Sequence, residues 1–248
     1  MTGLIEAKLT FRRDWAPGLA TLGLAGALDA FRPGQFVNLG LEVGGELVRR
    51  AYSLASAPGS DPEVFLNEVE GGALTPLLFR LRPGDRVLME QKPQGFFTLD
   101  WVPPADELWL CATGTGLAPF VSMLRSGEPL QKFLRVVLVH GVRQADQLAY
   151  VDEIQSMCDA SRGRLAHIGV VSRQADATGV LHGRITTALE SGALEQAAGL
   201  QLSPAHSHVM LCGNPTMIDE MSAQLATRGL RRHRQRKPGH VTSERFWE

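Results

Sequence analysis

The sequence predicts two domains of different class: an antiparallel β-barrel or sandwich, then an α/β domain doubly wound on a parallel sheet. Three observations carry this. Up to about residue 100, short strand-like stretches follow one another closely, broken by Gly and Pro. From about residue 104, continuous apolar runs alternate with helical patterns. Between the two rhythms, Pro103-Pro104 interrupts the chain in "DWVPPADE", which sets the domains at 1–102 and 103–248.

In the first half, "AKLTFRRDW", "LATLGLA", "GQFVNLGLEV", "LVRRAYSLAS", "VFLNEVE" and "DRVLMEQKP" read as strands at the close spacing of an antiparallel fold. Pro33-Gly34 supplies a turn into the third of them, because Pro presets φ and Gly accepts unusual backbone angles. "LTPLLFRL" reads as a short helix among the strands. In the second half, "ELWLCAT", "RVVLVHGV", "LAHIGVVS" and "HVMLCG" are continuous apolar runs, as strands covered on both faces require. "APFVSMLRSG", "QLAYVDEIQSMCDA" and "RITTALESGALEQ" lie between them with helical periodicity. "PTMIDEMSAQLATRGL" follows the last run and stops at Gly229. Strand–helix alternation of this kind predicts a parallel sheet.

The chain has 248 residues, enough to bury a real core in each of two modest domains. A formal net charge of −1 argues against nucleic-acid or membrane binding by bulk electrostatics. The N-terminus lacks a basic start followed by an apolar stretch, and no apolar run approaches the roughly 20 residues of a spanning helix. Cys111, Cys158 and Cys212 are far apart and form no metal or iron–sulfur signature. The expectation is a cytoplasmic monomer without a metal, in a reducing compartment.

Three stretches, and a fourth that follows the last of them, carry chemistry. In "LCATGTGLAPF", Gly114 and Gly116 permit a tight turn and close backbone approach to a bulky anion, and the helix that follows begins with free N–H groups. Pro119 fits the first helical turn, where its missing N–H costs nothing. In "MLCGNP", Cys212 and Gly213 end the last apolar strand. Ligands of doubly wound sheets lie beyond strand carboxyl ends, so these two residues are expected to face the same crevice as the glycine turn. In "RAYSLAS", strand alternation sends Arg50 and Tyr52 to one face and Ala51 and Ser53 to the other. Arg50 suits a diphosphate, Tyr52 a flat ring, and Ser53 a ring nitrogen. "GGALTP" is a second phosphate-friendly stretch about twenty residues on.

"RAYS", "GTGLAP" and "CGNPTM", in this order, closely resemble the ferredoxin–NADP⁺ reductase family, and "RRHRQRKPGHVTSERFWE" is similar to the tail of its bacterial subgroup. The resemblance implies an FAD-binding antiparallel β-barrel followed by an NADP-binding α/β domain. It implies FAD contacts from Arg50, Ala51, Tyr52 and Ser53, from Leu74 and Thr75 at the diphosphate, from Thr115, and from the tail aromatics Phe246 and Trp247. Ser53 would stand near flavin N5, and Cys212 would border the nicotinamide pocket, packing and aligning without attacking as a nucleophile. For NADP(H) it implies Gly114, Gly116 and Gly213 at the pyrophosphate crevice. Arg143, Ser172, Arg173 and Arg184 would hold the adenosine 2′-phosphate.

The implied activity is electron transfer between NADP(H) and ferredoxin or flavodoxin, by hydride exchange at FAD. The run from Arg231 to Lys237 holds five Arg or Lys residues, the charge pattern that speeds docking of an acidic redox protein, with Arg12, Arg13 and Arg49 as further candidates. Two alternatives share the motifs. One is an NAD(P)H-dependent flavin or diaphorase-type reductase, or the reductase component of an oxygenase. The other is a nucleotide-sensing or electron-transfer subunit without turnover of its own.

Overall fold

The computed structural model describes residues 3–246 and divides into two compact units. The first runs through Thr98 and also takes in Ala118–Ser126; the second comprises Leu99–Leu117 and the chain from Gly127 onward.

The first unit contains β1 (Leu4–Ala16), β2 (Leu19–Ala25), β3 (Phe36–Val43), β4 (Glu46–Ser53), β5 (Glu63–Asn67), the single-turn α1 (Thr75–Leu78) and β6 (Arg86–Glu90). The six strands pair antiparallel in the order β4-β3-β6-β1-β2-β5. A bridge between Leu54 and Val64 joins the two edges and closes the sheet into a barrel. Closure matters because an open edge leaves a row of unpaired backbone groups. The interior is filled by Leu9, Leu22, Leu24, Val37, Leu39, Leu54, Val64, Leu66 and Met89, with Tyr52 and Leu74 in the same cluster.

Burial along β4 departs from simple alternation. Arg49, Arg50 and Ala51 are all exposed, whereas Tyr52 through Ser56 are all buried. The physical reason is position: the strand begins as a free edge hairpin and ends inside the closure, so its surroundings change at Tyr52 on both faces.

The helix at Ala118–Ser126 packs on the stretch that follows the closure. Ser122 Oγ donates to Ser56 O (2.6 Å), and Arg125 Nη1 donates to Ala55 O (3.0 Å) and to Glu63 Oε2 (2.7 Å). Phe120 from this helix lies 5.7 Å, centroid to centroid, from Phe97.

The second unit is built on β7 (Glu107–Thr113). A 3₁₀ turn over Gly114–Leu117 follows it and continues into the helix just described, α2 (Ala118–Ser126). Then come α3 (Glu128–Lys132), β8 (Arg135–Val142), α4 (Val151–Ala160), β9 (Leu165–Val171), β10 (Leu181–His182), α5 (Ile185–Glu190), α6 (Ala193–Ala198), β11 (Ser207–Gly213), α7 (Pro215–Thr227) and β12 (Val241–Arg245). All six strands are parallel, in the order β10-β9-β8-β7-β11-β12. The chain thus starts mid-sheet, winds out through β8 to β10, and returns on the other side at β11. That reversal puts the topological switch point between the ends of β7 and β11.

Two elements differ from the sequence expectation. "RITTALESGALEQ" is two helices, because Gly192 sits at φ 79° and starts a new turn. The tail contributes a strand, β12, that the sequence reading does not contain. His208 anchors it, its Nε2 lying 2.9 Å from Thr242 Oγ1. Among the described residues no helix is long and apolar enough to cross a membrane.

Leu54 is fully buried at the closure. Leu54→Ala is expected to cost about 3 kcal/mol, the usual penalty for a buried cavity of that size, measured by urea denaturation.

Candidate functional site

In the second unit the glycine turn lies on the switch point. A Cβ on Gly116 would stand 2.5 Å from Cys212 O and 2.8 Å from Gly213 Cα, so only glycine lets the turn seat on the end of β11. Gly114, at φ 53°, has nothing within 4 Å of its would-be Cβ; the backbone there faces open space. Gly213, at φ 123°, is pressed against Thr113, whose Oγ1 would lie 2.4 Å from an added Cβ. The Thr113 hydroxyl oxygen accepts from Asn214 N (2.8 Å), and Asn214 Oδ1 in turn accepts from the N–H groups of Thr216 (2.9 Å) and Met217 (3.3 Å). Asn214 is thus the N-cap of α7, with Pro215 at the first helical position. Gly114, Thr115, Gly116, Cys212 and Gly213 are all brought together here.

Two groups absent from the sequence reading complete this end of the sheet. His140, fully buried on β8, has its Nε2 3.1 Å from Gly114 O. A carbonyl only accepts, so Nε2 carries the proton. Nδ1 is then bare, and it is buried with no hydrogen-bond partner in the described structure. Burial pulls the imidazole down to about 3; His167 pushes the same way and the Gly114 bond opposes. A histidine inside "LVHGV" gave one signal, a polar residue in an apolar strand. The signal for Asn214 is "GNP", an asparagine before a proline, the pattern of an N-cap followed by the first helical residue.

Cys212 is fully buried, and its thiol is pushed well up, by burial first and then by the Glu244 carboxylate. It is a neutral packing group. Phe246, just past β12, donates its backbone N–H to Gly213 O (3.0 Å) and so reaches the same strand end. Trp247 lies outside the described residues.

The arginines cluster at the ends of β8, β9 and β10. Backbone pairing runs on past the strands: Ser172 N–H donates to Val142 O (3.0 Å) and Arg173 N–H to Arg143 O (2.9 Å). Gly183 N–H donates to Val171 O (2.9 Å), placing Arg184, the residue before α5, next along this edge. Arg143, Ser172, Arg173 and Arg184 are all exposed. The Ser172 hydroxyl donates to Val142 O (3.1 Å).

In the first unit, Tyr52 is buried and its hydroxyl has no hydrogen-bond partner among the described residues. Burial pushes the phenol up to about 12, against an opposing pull from the Arg50 guanidinium. Arg50 stays exposed, donating to Arg49 O (2.7 Å). Ser53, Leu74 and Thr75 are buried, and Thr75 Oγ1 accepts from Val69 N–H (2.9 Å), tying down the start of α1. Ahead of α1, Gly71 at φ 70° faces open space. Elsewhere on this unit, Arg12 pairs with Asp14 (3.1 Å), Arg49 pairs with Glu90 (3.0 Å), and Arg13 lies 3.9 Å above the Trp15 ring. Among the described residues no group of His, Cys, Asp and Glu is arranged to hold a metal ion.

The first unit is a closed antiparallel barrel, and the second is a doubly wound parallel domain of dinucleotide-binding type, with a glycine turn at its switch point. In agreement, residues 110–223 match the oxidoreductase NAD-binding domain family. The flavodoxin/ferredoxin–NADP reductases of Shigella flexneri and Escherichia coli (strain K12) are 42% and 41% identical over 249 residues, covering all of both chains. A crystal structure of a ferredoxin NADP⁺ reductase from Neisseria gonorrhoeae with bound FAD and NADP superposes with a TM-score of 0.92 at 29% identity, over 99% of each chain. The chain belongs to the flavodoxin/ferredoxin–NADP reductase family.

The depressed histidines make a pH prediction. His140 and His208 both sit at about 3 in the folded protein, below their ordinary value of 6.5. Their unfolded forms therefore bind more protons below 6.5, and stability present above that pH is lost as pH falls toward 3. His140→Gln, which keeps a donor for Gly114 O, is expected to flatten part of that loss when urea midpoints are compared between pH 7 and pH 4.

Proposed function

We propose that this protein catalyses electron transfer between NADP(H) and ferredoxin or flavodoxin through a bound FAD. The observation that carries the reading is full-length identity of 41–42% to the flavodoxin/ferredoxin–NADP reductases. Two features of the chain fit such ligands. In the first unit, a buried tyrosine hydroxyl without a protein partner lies beside a cationic Arg50 and in one cluster with Leu74. In the second, open backbone at Gly114 stands over a turn that tolerates no side chain at Gly116.

FAD, when bound, supplies a ring that accepts two electrons as hydride and releases them one at a time, which matches a two-electron nicotinamide to one-electron carriers. The residues do the positioning. Tyr52 stacks on the flavin as a neutral phenol, Ala51 and Ser53 contact it through strand β4, and Ser53 holds a hydrogen bond near N5. Arg50 neutralises the FAD diphosphate, with Leu74 and Thr75 contributing at the same group. Thr115 and Phe246 are the remaining residues proposed as FAD contacts.

Gly114, Gly116 and Gly213 admit the pyrophosphate of NADP(H). Cys212 borders the nicotinamide and aligns it by packing; a thiol held neutral by burial is no nucleophile. Arg143, Arg173 and Arg184 grip the 2′-phosphate by charge-assisted hydrogen bonds, and Ser172 joins them when its hydroxyl turns from Val142. The basic turn from Arg231 to Lys237 receives the acidic carrier. It is exposed over Arg234–Lys237, where Arg234 and Lys237 pair across a tight reversal.

The test is spectroscopic and kinetic. Purified protein is expected to be yellow, to bleach with NADPH, and to reduce ferredoxin or flavodoxin faster than small-molecule acceptors. Equal or slower rates with both carriers would remove the carrier role. Replacing Arg173 and Arg184 by Ala is expected to raise KM for NADPH about tenfold or more, with KM for NADH nearly unchanged. Equal effects on the two coenzymes would remove the 2′-phosphate assignment.

A further inference from the structure

Beyond the last paired residues of β8 and β9, the chain leaves β8 through a 3₁₀ turn over Ala145–Gln147. Three successive backbone N–H groups there, at Arg143, Gln144 and Ala145, are each taken by a glutamine carboxamide. Gln147 Oε1 accepts from Arg143 N–H (3.2 Å) and from Gln144 N–H (3.1 Å). Gln174 Oε1, from the loop after β9, accepts from Ala145 N–H (3.0 Å). Beneath them Val142, Val171 and Ala177 form a small core of their own, with Ala145, Leu148 and Val180 packed against it.

The two loops that carry Arg143 and Arg173 are therefore fastened together three times: by the Arg173–Arg143 backbone bond, by Gln174 and by the apolar cluster. Arg143 itself is exposed, whereas Gln147 and Gln174 are half-buried. Such a loop is ordered before any ligand arrives, so binding does not have to order it. The chemistry of the caps is also selective. A carboxylate would satisfy the same N–H groups but would add to the negative charge that Asp146 already brings to this turn, beside arginines proposed to meet a phosphate dianion. A carboxamide offers the acceptor without the charge.

We infer that Gln147 and Gln174 are positioning residues for coenzyme specificity, holding Arg143 beside Arg173 so that the pair meets a 2′-phosphate. This rests on the reading of those arginines given under the proposed function. It assigns to two uncharged side chains part of the preference for NADP(H) over NAD(H).

The test measures equilibrium binding of 2′,5′-ADP and of 5′-ADP to the purified holoenzyme by titration calorimetry. The variants are Gln147→Met, which keeps the bulk and loses the acceptor, Gln147→Glu, which keeps the acceptor and adds charge, and Arg173→Ala as reference. Gln147→Met is expected to weaken 2′,5′-ADP about fivefold to tenfold, the usual worth of one or two backbone caps, and to leave 5′-ADP within about twofold. Gln147→Glu keeps the caps and so remains folded. It is expected to weaken 2′,5′-ADP alone, by a factor that shrinks as salt is raised.

Wild-type affinity in both Gln147 variants, while Arg173→Ala loses 2′,5′-ADP, overturns the inference and leaves the arginine reading standing. Equal weakening of both nucleotides by Gln147→Met also overturns it, as a general loss of the loop. If Arg173→Ala changes nothing, the 2′-phosphate reading and this inference fall together.

Discussion

The second unit depends on one steric constraint: position 116 has no room for a side chain. The end of β11 comes so close that the carbonyl of Cys212 occupies the place of a Cβ. Everything else at the switch point follows from that approach. Thr113 stitches β7 to the first residue after β11, Asn214 caps α7 from the same spot, and Phe246 closes onto Gly213 from the tail strand. His140 holds the turn from below by its carbonyl at Gly114. A chain with alanine at this position would have to lift the turn or bend the strand, and each of those bonds would move with it.

In each unit, taken by itself, the candidate site residues include neutral, buried groups. The phenol of Tyr52, the thiol of Cys212 and the imidazole of His140 are each driven by burial toward the uncharged form. None is poised for proton transfer near neutral pH. Fixed charge lies instead on exposed arginines, the residues proposed to meet the anionic parts of the ligands. This division suits an enzyme whose bond-making atoms belong to its cofactors, with the protein supplying alignment and recognition.

Much of this architecture is legible in the sequence because the signals are local. "ELWLCAT" is β7 residue for residue, since a strand buried on both faces must be apolar throughout. The glycine turn, the arginines after strands and the stop at Gly229 are likewise set by neighbours in the chain. What was not legible depends on residues far apart. The burial of Tyr52 but not Ala51 comes from the Leu54–Val64 closure, and β12 has only five residues and needs β11 to define it. The tie between His140 and Gly114 spans 26 residues, and that between Ala145 and Gln174 spans 29, so no window of sequence contains both partners.

Stopped-flow reduction of the flavin by NADPH in Gly116→Ala probes the steric constraint most directly. The FAD-contacting residues proposed in the first unit are untouched, so enough flavin is expected to remain, read from the visible spectrum, for the rate to be measured. Displacing the turn by an ångström should slow reduction about 100-fold. A variant that keeps its flavin and is reduced at the wild-type rate would contradict the account, because the seat of the turn on β11 would then not govern the site.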